Sequence, residues 1–139
     1  MTNNLIKIAI IEDDKGNQDY LVMVIKKIFC HPIRIVDLEN AIDVLRAEVP
    51  EIILLDIKLN NGLSGCKIAK EVREDPLFKN TKIIVVSSFA MPQEIREITQ
   101  ETKCNGYLTK PFLMNSLIDK IYAQLEQISS DAESVCTLN

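Results

Sequence analysis

Four stretches of the chain end in residues able to do chemistry together. Ile52–Leu55 runs into Asp56, Leu5–Ile11 into Glu12-Asp13-Asp14, Lys82–Val86 into Ser87-Ser88, and Gly106–Leu108 into Thr109-Lys110-Pro111. Short apolar runs of this kind read as strands buried on both faces. A carboxylate at the end of one is either exposed at the rim of the sheet or expensively desolvated. In open α/β sheets that rim, outside the carboxyl ends of the strands, is where ligands bind. Carboxylates converging there repel one another, so a fold keeps them only with a cation among them. Hard oxygen ligands and retained waters suit Mg²⁺. A metal, the Lys110 ammonium and the Ser87 hydroxyl together complement a phosphoryl group, and Asp56 is placed as a nucleophile toward it.

The elements that must position these groups follow from periodicity. Residues 5–11 read as a central strand. A helix over 15–29 follows, with Leu21, Val24, Ile25 and Ile28 on one face and Asp14 or Asn17 as its cap. Ile33–Leu38 reads as a second strand, and helix 41–48, capped by Asn40, turns Ile42, Leu45 and Val49 inward before Pro50 stops it. Strand 52–56 leads into a loop, Lys58–Leu63, with Asn60-Asn61-Gly62 at its tip. Ser64 is placed to cap a helix over 65–74, which Asp75-Pro76 ends. Strand 82–86 precedes helix 92–102, which opens on Pro92 and carries a thin apolar face of Ile95 and Ile98. A short strand, 106–109, comes before a last helix over 114–128 with Leu117, Ile118, Ile121, Leu125 and Ile128 as its stripe. The domain is thus expected over 1–128, with 129–139 a mobile tail. Five strands alternating with five helices imply a doubly wound α/β fold, a parallel sheet with helices on both faces. The flavodoxin-like order 2-1-3-4-5 fits the length and puts strands 1 and 3 side by side, which brings Glu12, Asp13 and Asp56 together.

Composition narrows the function. A net charge of −4 over 139 residues argues against nucleic acid as a direct partner. No run reaches the length of a membrane-spanning helix and no signal peptide opens the chain, so a cytoplasmic location is expected. Cys30, Cys66, Cys104 and Cys136 are scattered without metal spacing and read as reduced thiols. The single histidine, His31, precedes Pro32 and reads as a loop residue. One histidine leaves no room for a His-based metal site or triad within the chain.

The motifs Ile11-Glu12-Asp13-Asp14, Leu54-Leu55-Asp56, Val85-Val86-Ser87-Ser88 and Tyr107-Leu108-Thr109-Lys110-Pro111-Phe112, in this order and spacing, resemble the receiver domain of two-component response regulators. The resemblance covers about residues 5–127. It implies that Asp56 is the phosphoacceptor, supplied by a histidine kinase or histidine phosphotransfer protein. It also implies that Glu12, Asp13, Asp56 and the Lys58 carbonyl hold Mg²⁺. Ser87 becomes the switch hydroxyl, Lys110 the phosphate-contacting lysine, Tyr107 the aromatic switch residue, and Lys110–Pro111 a cis peptide. The resemblance further implies that the signal passes to a downstream protein through the face of the fourth helix, fifth strand and fifth helix. The domain is expected to be a phosphorylated signalling module that catalyses only its own phosphorylation and dephosphorylation.

This chain departs from the family pattern in three places. The step from Asp56 to Gly65 is one residue longer than the commonest spacing, with Asn60 where a proline is usual. Serine replaces threonine at 87, and Leu113 stands where a polar cap is common. Lys58 and Phe89 occupy the two positions that border the path of a hydrolysing water in the family. Neither offers an acceptor to orient that water, so slow dephosphorylation is expected. The same residues speak against an enzyme and a small-molecule binder of related fold. A haloacid-dehalogenase-type phosphatase would need an Asp-x-Asp-x-Thr form after the first strand, and a flavodoxin a glycine- and hydroxyl-rich phosphate loop there; Glu12-Asp13-Asp14 is neither. A receiver cut from a hybrid kinase is the remaining alternative.

Overall fold

The computed structural model describes residues 5–59 and 64–138, with side chains through residue 130. Five strands, β1 (Lys7–Ile11), β2 (His31–Ile35), β3 (Ile52–Leu55), β4 (Lys82–Ser87) and β5 (Gly106–Thr109), form one parallel sheet in the order β2-β1-β3-β4-β5. They alternate with α1 (Lys15–Lys27), α2 (Ala41–Glu48), α3 (Gly65–Glu74), α4 (Pro92–Thr102) and α5 (Met114–Leu138). This is the expected doubly wound arrangement. The pleat sends Ala9, Ile11, Ile53 and Leu55 to one face, where Leu45, Ile68, Ala69, Val72 and Ile98 cover them. Ile8, Ile10, Ile52 and Leu54 meet Leu21, Val24, Ile25, Leu117 and Ile121 on the other. With helices on both faces the central strands have no polar side to show, which is why their sequences do not alternate.

Register does the positioning. Ile11 pairs with Leu55 at the last rung of β1 and β3, and the Asp56 N–H extends the ladder by donating to the Ile11 carbonyl at 3.0 Å. Glu12 and Asp56 therefore leave the sheet side by side. On the far side Leu55 pairs with Val85, and Ser87 with Thr109.

Helix ends follow the capping chemistry in part. Asp14 accepts from the Asn17 N–H, and Ser64 from the Cys66 N–H, as expected. Asn40 does not cap α2; its side chain donates to Asp37 at 2.7 Å, and Asp37 starts a 3-10 turn, Leu38–Asn40, that feeds the helix. β2 begins at His31 and ends at Ile35, earlier than the expected 33–38, and His31 is a strand residue. β2 lies at the sheet edge, where a proline's missing N–H costs no ladder bond, so Pro32 does not delay the strand. Val49 points outward at a left-handed φ of 44° that ends α2. α5 does not stop at residue 128 but runs to Leu138. Residues 129–138 contain neither glycine nor proline, and propagating an established helix is easy. The expected loop tip at Asn60–Gly62 lies outside the described residues, as does the side chain of Cys136. Cys30, Cys66 and Cys104 are free thiols.

α4 is held least. It buries only Ile98 and Thr102, whereas α1 buries five residues. Each buried aliphatic side chain contributes about 1.5–3 kcal/mol, so α4 has little apolar anchorage to lose if its base moves.

Candidate functional site

Glu12, Asp13 and Asp56 converge at the carboxyl end of the sheet, their nearest oxygens within 4.8 Å of one another. Glu12 and Asp56 are buried, at 3% and 8% exposure, and Asp13 is half-buried. Glu12 and Asp56 are each held from two sides. The Asp14 N–H donates to Glu12 Oε1 at 3.1 Å, and the Lys58 N–H donates to Asp56 Oδ1 at 3.2 Å. Lys110, just past β5, reaches over with its ammonium to donate to Glu12 Oε2 at 2.8 Å and Asp56 Oδ2 at 3.1 Å.

Electrostatics follow from that geometry. Burial raises the Glu12 carboxyl pKa, and the Asp56 charge adds to it, against the lowering pull of Lys110 and the Asp14 N–H. Burial works against the Lys110 ammonium, but the hydrogen bonds and charges of Glu12 and Asp56 outweigh it and raise its pKa. The ammonium is thus firmly positive at neutral pH. The donor set is all oxygen, at a rim that leaves Asp13 partly open to solvent, and so fits a hard divalent cation that keeps some of its waters.

Lys110 is fixed from below: its N–H donates to the Ser87 carbonyl at 2.8 Å, and the Lys110–Pro111 peptide is cis, as expected. Ser87 is fully buried, and its hydroxyl accepts from the Phe89 N–H at 3.1 Å. Tyr107, half-buried, donates its phenol to the Phe89 carbonyl at 2.6 Å. Burial pushes the phenol pKa up, and a hydrogen bond with Ser87 opposes the push. Ser87, Phe89 and Tyr107 therefore form a second cluster, adjoining the carboxylates through the backbone of Lys110. The Phe89 ring lines a groove of about 210 Å³ with Ile57, Glu94, Glu97 and Ile98. The Lys58 side chain is exposed.

Two contributors escaped sequence reasoning. A Cβ built on Gly65 would stand 2.1 Å from the Asp56 carbonyl oxygen, so only glycine lets α3 start against the strand that carries Asp56. Its position directly after a loop that follows a buried strand was the available signal. The second is a groove of about 440 Å³ beside Lys110 and Glu12, lined by Tyr20, Leu21, Val86 and Phe112. The Tyr20 and Phe112 rings stand 6.1 Å apart across it.

The family model described as response regulator receiver domain matches residues 8–122. The phosphate regulon transcriptional regulatory protein PhoB of Escherichia coli K12 is 26% identical over 123 residues, covering 88% of this chain and 53% of PhoB. The chain thus spans about half the length of the curated relatives it matches. Among solved structures, a CheY-like response regulator receiver domain protein from Methanospirillum hungatei superposes with a TM-score of 0.82 at 20% identity, covering 92% of this chain and 99% of that one. The chemotaxis protein CheY4 of Vibrio cholerae gives 0.78 at 17% identity, covering 86% and 98%. At these identities the structural likeness is one of fold.

Proposed function

The chain belongs to the response regulator receiver domain family, and from that premise we propose that it takes a phosphoryl group onto Asp56 from a partner's phosphohistidine. The observation that carries this reading is the Lys110 ammonium bridging Glu12 and Asp56 over three convergent carboxylates. Glu12, Asp13, Asp56 and the Lys58 carbonyl are the groups that would hold Mg²⁺. When bound, Mg²⁺ offsets the negative charge that otherwise keeps a phosphoryl group away from a carboxylate. Asp56 supplies the attacking oxygen. Its bond to phosphorus forms as the bond from phosphorus to the partner's imidazole nitrogen breaks, the electron pair leaving with the imidazole. Lys110, already within reach of Asp56, turns its ammonium to the incoming phosphoryl oxygens. The apolar groove beside Lys110 gives a partner's histidine-bearing segment room to approach.

Phosphorylation adds about −1.5 to −2 charge and three acceptor oxygens at Asp56. The Ser87 hydroxyl then has a stronger partner than the Phe89 N–H. As it turns to donate to a phosphoryl oxygen, Phe89 N–H loses its acceptor and Tyr107 loses the hydroxyl beside its phenol. The segment between β4 and α4 is released, and α4, thinly anchored, follows. The signal leaves through the face of α4, β5 and α5 toward a downstream protein. Lys58 and Phe89 border Asp56 and Ser87 without an acceptor for water, and the phosphorylated state is long-lived.

Incubation with Mg²⁺ and a small acyl phosphate, followed by peptide mapping, tests the reading. A haloacid-dehalogenase-type phosphatase would turn over phosphomonoesters instead.

A further inference from the structure

Gln18, the fourth residue of α1, takes no part in the chemistry above, and its setting is unusual for an amide. It is fully buried. Its Nε2 donates to the Glu12 carbonyl at 2.8 Å and to the Ile35 carbonyl at 3.0 Å. Ile11 and Ile35 form the last rung of the β1–β2 ladder, so the amide spans the gap where the two strands part and satisfies the carbonyls that the ladder leaves open. The Gln18 backbone N–H donates to the Asp14 carbonyl at 2.9 Å. One residue thus holds the chain on both sides of Asp13, through its side chain before it and its main chain after it. Gln18 Oε1, by contrast, is buried without a partner among the described residues. An unsatisfied acceptor of that kind is costly, and an aliphatic side chain would fill the place without it. An amide kept there answers a demand for its two donors.

We infer that Gln18 is a positioning residue for the divalent-cation site, setting the Glu12–Asp13 turn in the geometry that lets both carboxylates face Asp56. The inference rests on the reading of Glu12, Asp13 and Asp56 as cation ligands. Partners beyond the ligating atoms orient them, and their loss weakens binding without removing a ligand.

The probe is Mn²⁺, titrated into the whole protein and followed by electron paramagnetic resonance of the free ion. Gln18→Met keeps length and volume and removes both donors; Gln18→Leu is a second donor-free variant. Both are expected to raise the Mn²⁺ Kd about tenfold and to speed exchange of the Asp14 amide. Phosphorylation by a small donor should recover at saturating metal. Val24→Ala, in the core of the same helix, should lose stability with its Kd unchanged. Donor-free variants that bind as tightly as wild type overturn the inference, and so does a Val24→Ala protein weakened by the same factor. Wild-type protein that binds no Mn²⁺ overturns the cation reading itself and this inference with it, a result visible before any substitution is made.

Discussion

Lys110 Nζ lies 3.1 Å from Asp56 Oδ2, although the two residues are 54 positions apart in the chain. The same ammonium lies 2.8 Å from Glu12. Without a metal or phosphoryl group it is the counter-charge of the carboxylates, and it stands where a phosphoryl group on Asp56 would need one. A lysine serves here because its flexible stem lets one charge move between partners.

That counter-charge does not fully offset the burial of Glu12, which gives a pH dependence. Glu12 has its folded pKa raised above the ordinary 4.5, so the native state binds this proton more tightly than the unfolded chain. Its contribution is intact at low pH and is lost as the pH rises from 4.5 through the raised value. Urea unfolding of metal-free wild type, set against Glu12→Gln, should show stability falling over that window in wild type only. Added Mg²⁺ should suppress the fall, because it favours the charged carboxylate. Parallel pH profiles would remove the role given to burial.

Gly65→Ala should injure the site without touching a reactive group. The new Cβ would meet the Asp56 carbonyl at 2.1 Å, and a displacement of the nucleophile by about 1 Å costs on the order of a hundredfold in rate. Phosphorylation by a small donor at saturating Mg²⁺ should slow by about tenfold to a hundredfold. A wild-type rate would show that the strand end yields freely.

The exchange of partners at Ser87 has its own signature. With a phosphate mimic such as beryllium fluoride bound, amide exchange should change most over residues 87–112, with the Phe89 N–H, now bonded to Ser87 Oγ, exchanging faster. Ser87→Ala should remove the mimic-dependent difference in that segment. Uniform protection with and without the mimic would sink the switch.

The lifetime of the phosphorylated state is tested by its decay in Mg²⁺. Lys58→Asn and Phe89→Glu each introduce an acceptor for water and should each speed decay about threefold, roughly 0.7 kcal/mol off the barrier. Phe89 lines one groove with Ile57, the residue after Asp56. Decay no faster in the double variant than in wild type would place the control of lifetime elsewhere.

The sequence made the central strands legible because a strand buried on both faces leaves an uninterrupted apolar run, and each run's end marked the rim. Asp56, Ser87 and Lys110 were visible for that reason. Ser64 was visible because a cap needs a hydroxyl directly before a helix. Gln18 was not, since a polar residue near a helix start normally faces water, and only the splaying of β1 from β2 gives it buried carbonyls to bond. Pro32 misled because the edge position that tolerates it is a property of the assembled sheet. The end of α5 is not legible from the apolar stripe, since a helix, once formed, needs a breaker to stop it. The joining of Tyr107 to Phe89 depends on loop geometry that no spacing encodes.

The most direct test is the site of phosphate. Wild-type protein incubated with Mg²⁺ and a small acyl phosphate should gain one phosphoryl group, mapped to Asp56. Asp56→Asn, which keeps the shape and loses the nucleophilic charge, should fold and gain none. Incorporation at the wild-type level in Asp56→Asn, or none in wild type, would contradict the account.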